Sequence, residues 1–198
     1  MSELTVLQAV RLKGRVRPND LAATLNDADT DQTVAQLIAN GLLVAEATLR
    51  ISPAGRERLS TLLAEERAGA DSAALNASYN EFRSINTHFK ALLTDWQLKS
   101  GQPNTHDDTD YDAAVLARLD DVHQRVTPII TAAATQLPRL SGYSAKLQTA
   151  LNKVKAGETV WLTRPLIDSY HTVWFELHEE LILAAGLTRE SEAKSGHA

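Results

Sequence analysis

The sequence predicts a mainly α protein: an N-terminal winged helix-turn-helix with a two-stranded wing over residues 1–67, then a bundle of about four helices over 68–190 and a flexible tail over 191–198. Three observations carry this expectation. Short helical stripes in the first 40 residues are followed by two β-branched pieces and a strong helix start at Ser52-Pro53. Apolar residues then recur at 4-3-4-3 spacing from Leu75 to Trp96. Beyond that seam the patterning stays helical to Gly186, the periodicity of helices packed on helices.

The elements follow in order. Leu4, Leu7, Val10 and Leu12 form the stripe of a first helix that stops at Gly14. Pro18 suits the first turn of a second, with Leu21, Ala22 and Leu25 on one side. Asp29 and Gln32 have capping-box spacing at the start of a third, whose apolar side is Val34, Leu37 and Ile38 and whose stop is Asn40-Gly41. "LLVAE" and "TLRIS" read as a tight hairpin, since Val and Ile favour strands. Ser52 as N-cap and Pro53 at N1 open the fourth helix.

In the helical part, Leu75, Tyr79, Phe82, Asn86, Phe89, Leu93 and Trp96 make one seam with a single amide inside it. "KSGQPN" ends that helix. Val115, Leu119, Val122, Val126 and Ile129 mark the next, with Pro128 expected to kink it or end its regular hydrogen bonding. Leu140, Leu147, Leu151 and Val154 mark a third that stops at Gly157. "TRPLIDSYHTVWFELHEELILAAG" is the fourth.

Composition narrows the function. The chain of 198 residues is 43% hydrophobic, which allows a packed core, and contains no cysteine. Disulfides, thiolate zinc sites and cysteine nucleophiles are therefore excluded. The first ten residues lack the charged start and long apolar run of a leader, and no apolar run approaches the ~20 residues of a membrane span. The expectation is a cytoplasmic protein with no membrane partner. The net charge is −5, and neither part is basic overall: eight Lys/Arg face nine Asp/Glu in residues 1–67, and twelve face sixteen beyond. Contact with nucleic acid would have to rest on a local cluster, such as Arg11, Lys13, Arg15 and Arg17.

"GLLVAEATLRISPAGRERLSTLLAEER", residues 41–67, resembles the wing and following helix of MarR-like regulators. The likeness covers about the first third of the chain and implies a DNA-binding transcriptional regulator, active as a homodimer. The third helix would then lie in a major groove and expose Thr30, Gln32, Thr33 and Gln36 to base edges, with Arg50, Arg15 and Arg17 on phosphates. That helix has no Lys or Arg, and the helical part is longer than in a minimal chain of this kind. "FRSINTHFKALLTDWQLKSG", "NTHDDTDYDAAVLARLDDVH" and "RPLIDSYHTVWFELHEELILAAG" resemble a helical module of actinobacterial proteins, found stand-alone or appended to proteins similar to pyruvate phosphate dikinase. This second likeness implies an accessory or regulatory role, with a partner enzyme, and a link to phosphoenolpyruvate metabolism. It implies no catalytic residue.

The polar residues of the fourth bundle helix admit two readings. His171 and His178 lie two turns apart, about 10 Å at 1.5 Å per residue, too far to chelate one ion by themselves. No HExxH, EF-hand, Walker, GxGxxG or GxSxG pattern occurs, so no metal, cofactor or catalytic residue is expected. One reading is a pocket for a small anionic effector, a carboxylate or phosphate, formed by Asn86, Lys90, Trp96, His123, Arg164, Asp168, His171, Trp174 and His178. The other is an internal hydrogen-bond network that fixes helix register.

Overall fold

The computed structural model describes residues 1–25 and 27–194; Asn26 and the last four residues of the expected tail lie outside the described residues. The chain divides into two compact units, 1–69 and 70–198.

The first unit begins with α1 (Glu3–Lys13), whose N-cap Ser2 accepts a hydrogen bond from the Thr5 amide. Gly14, at φ +70°, ends it in a conformation that only glycine adopts without strain. Val16 then makes an antiparallel bridge to Leu49, with its amide donating to Leu49 O at 3.2 Å and the Leu49 amide returning to Val16 O at 2.8 Å. α2 (Pro18–Leu25) and α3 (Thr30–Ala39) follow. β1 (Leu43–Ala45) pairs antiparallel with β2 (Leu49–Ile51), and α4 (Pro53–Ala68) closes the unit. α4 runs past Arg67 to Ala68, which puts the division two residues later than the sequence pattern suggests.

The core of this unit is aliphatic throughout: Val6, Leu7, Val10, Leu21, Leu37, Leu43, Leu49 and Leu59 are buried. None of the chain's aromatic residues falls before Tyr79. Two local expectations are corrected. Ile38 is 37% exposed rather than part of the α3 core face. Asp29 stands at the N-cap of α3 but its side chain makes no cap hydrogen bond; Asp27 Oδ1 takes the Asp29 amide instead.

The second unit is built from α5 (Ser72–Gln97), α6 (Thr109–Gln136), α7 (Gly142–Lys155) and α9 (Tyr170–Ala184). A two-residue hairpin, β3 (Leu98–Lys99) and β4 (Gln102–Pro103), links α5 to α6. A 3-10 turn at Pro138–Ser141 and the short α8 (Val160–Thr163) fill the later connections. α10 (Arg189–Lys194) ends the described chain, so residues 191–194 are helical rather than tail. The whole 4-3-4-3 seam of α5 is buried, Asn86 included. α6 continues through Pro128, which stays inside the helix; the ring removes one N–H, and the remaining ladder carries the helix on. The N-cap of α6 is Asp108, accepting from the Tyr111 amide.

α9 departs most from its sequence reading. It starts at Tyr170, capped by Ser169, and not in the preceding Arg-Pro segment. Its polar side is not solvated. Glu176, Glu179, Glu180 and His178 are all buried alongside Tyr170, Trp174, Leu177 and Leu181. Other elements cover that side and supply partners: Arg139 pairs with Glu180 at 2.7 Å, and Arg189 with Glu179. Among the described residues, no helix is long and apolar enough to cross a membrane.

Candidate functional site

A cavity of about 130 Å³ lies between α5 and α9, beneath the start of α10. Its apolar walls are Phe89, Leu93, Trp174 and Phe175. Its polar lining is Asn86, Lys90, His171, His178 and Arg189. The heptad spacing of α5 explains the first group: Asn86, Phe89 and Leu93 occupy successive seam positions and face the same way. On α9, His171, Trp174, Phe175 and His178 are spaced i, i+3, i+4 and i+7, one helical face.

The aromatic rings are packed together. Phe89 stands 4.5 Å from Trp174 between ring centroids, and Phe82 stands 4.9 Å from Trp174 and 5.2 Å from His178. The Trp174 indole donates to Asn86 Oδ1 at 2.9 Å. An indole N–H can only donate, so the amide must present its oxygen there. Its NH₂ end is directed away from the indole and is not among the buried polar atoms that lack a partner.

His178, 4% exposed, approaches Tyr79 Oη with Nε2 at 3.5 Å. Tyr79 donates its proton to Glu192 Oε2 at 2.5 Å, so toward the imidazole it can only accept. That arrangement fixes the proton of the neutral ring on Nε2. Desolvation by burial, helped by Arg189 and Lys90 and opposed by Glu179 and Glu192, lowers the His178 pKa to about 4. Desolvation also lowers the pKa of His171. Burial and the bond to Glu192 raise that of Tyr79. Both rings are therefore neutral at pH 7.

Two cations stand at this cavity. Lys90 is exposed on α5. Arg189 reaches in from α10, with its guanidinium 4.7 Å from the Phe175 ring centroid and Nη1 on Glu179. α10 is anchored by Glu192, 5% exposed, which accepts a hydrogen bond from the Tyr79 hydroxyl and lies 3.6 Å from Arg83.

Of the nine residues expected to gather around a ligand, Asn86, Lys90, His171, Trp174 and His178 line this cavity. The other four lie elsewhere. Trp96 packs against His106 in a tilted arrangement, 4.3 Å between centroids. His123 faces an open groove beside Pro128 and Gln148, bonded to Gln148 and to Tyr170 Oη; burial lowers its pKa. Arg164 is exposed at the end of α8, and Asp168 precedes the N-cap of α9. These two fall away because helical periodicity does not extend to residues ahead of Tyr170. Arg189 was missed, since a polar segment after Gly186 carries no periodic signal of docking.

In the first unit, Arg15, Arg17, Gln32, Gln36 and Arg50 are exposed and Thr33 is half-buried. Thr30 is corrected: it is 1% exposed and its hydroxyl donates to Asp27 O at 2.8 Å, so it closes the turn before α3 and faces no groove. Thr33 Oγ1 donates to Asp29 O at 3.0 Å. Arg50 pairs with Glu46 at 2.9 Å, both partners largely solvated. The start of α3 is acidic, with the Met1 amino group 3.5 Å from Asp29 and 3.8 Å from Asp27.

Among the described residues, no group of three His, Cys, Asp or Glu is placed to hold a metal ion. No protein-family pattern, no curated protein and no solved structure matches the chain.

Proposed function

We propose that the chain is a DNA-binding transcriptional regulator, with a winged helix-turn-helix in its first unit and a sensing or dimerising helical second unit. One observation carries the DNA half. A single bridge joins Val16 to Leu49 of β2, at the point between α1 and α2 where a winged helix carries its first short strand. Continuing that antiparallel register sets Arg15 level with Arg50, and Arg17 two residues along the same edge. Val16 and Leu49 are buried, and the arginines that flank them are exposed, as alternation about the bridge expects. Three exposed guanidiniums beside the hairpin suit successive phosphates, while Gln32 and Gln36 on the open side of α3 suit adenine edges. A homodimer would pair two such heads on a two-fold operator.

The test is fluorescence anisotropy on duplex DNA from upstream of the protein's own gene, across a salt series. Three phosphate contacts give a log–log salt slope of about −3. Arg15→Ala with Arg17→Ala should flatten it by about 2 and weaken target and unrelated duplexes alike. Absence of binding, or a slope near zero, overturns the reading.

The acidic start of α3, with Asp27, Asp29 and Asp31, favours a second reading in which the head binds a partner enzyme instead of DNA. That reading expects co-purification of the enzyme from the native host and no DNA shift at any salt concentration.

A further inference from the structure

We propose that the exposed face of α3 selects A·T base pairs in a major groove, and that Ala35 and Ala39 do part of the reading through the 5-methyl groups of thymine. This deepens the DNA half of the function above and rests on it; the experiment below separates the two.

α3 turns Thr30, Val34 and Leu37 inward, all buried. Opposite them stand Gln32, Ala35, Gln36 and Ala39, all exposed, and their i, i+3, i+4, i+7 spacing puts them on one face. Asp31 and Ile38 flank that face on one side, with Ile38 37% exposed.

Each side chain narrows the base that can sit opposite. A glutamine amide matches N6 and N7 of adenine, whereas guanine presents two acceptors, N7 and O6, and is met by Arg or Lys. α3 contains neither cation. The Asp31 carboxylate can only accept, so it is repelled by those two guanine acceptors and suits the amino group of adenine or cytosine. The acidic start of the helix, which opposes phosphate, thus has a use at a base edge: it discriminates against guanine.

Ala35 and Ala39 make the centre of the face low and apolar. Short side chains there let the helix approach the base edges, and a methyl group set against the thymine methyl takes both out of water. The two alanines stand about 6 Å apart along the helix axis, close to two base-pair steps. Ile38 widens the apolar strip. A face with two amides, two methyl groups and no cation is matched by adenine and thymine, and guanine has no partner on it.

The experiment selects binding duplexes for the intact protein from a randomised library, then measures fluorescence anisotropy on three probes. These are the selected duplex, its copy with deoxyuridine in place of thymidine, and a copy with the conserved pairs changed to G·C. The selected duplexes should share a core of A·T pairs. Deoxyuridine keeps the base pair and deletes only the methyl group, so it should weaken binding about fourfold for each methyl in contact. Deoxyuridine placed outside the core should change nothing. The G·C copy should bind at least tenfold more weakly. Ala35→Ser with Ala39→Ser, both at exposed positions, should bring the thymine-to-uracil ratio toward one. Gln36→Ala should relax selection at a single base pair. The deoxyuridine comparison uses the unaltered protein, so it does not depend on any variant folding. Equal affinity for the thymine and uracil copies, or a selected core rich in G·C, overturns this inference and leaves the DNA-binding reading standing. Failure to select any duplex overturns both.

Discussion

Acid should loosen the second unit through His178, and the size of the effect can be worked out. The ring is 4% exposed and titrates at about 4 when folded, against about 6.5 in an unfolded chain. Between those values the unfolded chain holds the extra proton and the folded one does not, so stability falls as pH falls. The contribution is fully present above about pH 6.5 and fully lost below about pH 4, a change of about 3 kcal/mol at 1.36 kcal/mol per unit. His171 and His123, also lowered by burial, act in the same direction. A variant isolates the one ring: His178→Gln keeps a donor near the Nε2 position and cannot be protonated. Urea unfolding, followed by tryptophan fluorescence at pH 7.5 and 4.5, reports this unit, because Trp96, Trp161 and Trp174 all lie in it. The parent should lose about 2–3 kcal/mol more than the variant across that interval. Equal losses would refute the claim that a neutral imidazole is enforced there.

Three further perturbations follow from packing and pairing. Gly55→Ala should destabilise the first unit by about 1–3 kcal/mol despite alanine's advantage of about 1 kcal/mol in helices, because its Cβ would stand 2.1 Å from Leu42 O and 2.9 Å from Ile51 Cγ1; circular dichroism should register the loss while the fluorescence transition stays put. Asn86→Ala should cost about 1–3 kcal/mol by stranding the Trp174 indole N–H, with a change in near-ultraviolet dichroism. Arg139→Leu should cost about 3–5 kcal/mol, since it leaves Glu180, 2% exposed, without its 2.7 Å partner; adding Glu180→Leu should recover much of that loss in the same urea assay.

The α5 seam was legible because a repeat of 3.5 leaves little choice of face: all seven residues named from spacing are buried. The Ser52-Pro53 start was legible for a similar reason, since cap and N1 chemistry are local. α9 was not. Periodicity separates apolar from polar faces, but this helix is covered on its polar side too, and burial there depends on Arg139 and Arg189, which stand 41 residues before Glu180 and 10 after Glu179. The cavity was half legible. Residues carried by the α5 and α9 repeats, such as Asn86 and Trp174, were found, while Arg189 arrives on a six-residue helix with no apolar stripe. The Val16–Leu49 bridge, which brings Arg15 and Arg17 beside β2, is a pairing across 33 residues that no local pattern encodes.

α10 holds on through a phenol and a carboxylate, not through a greasy face. Severing the chain after Thr188 would leave every heptad layer in place and yet remove Arg189 from the cavity lining, while Tyr79 surrendered its acceptor Glu192. The polar helix α10 is thus held by contacts that a protease could remove without touching the apolar core of this unit.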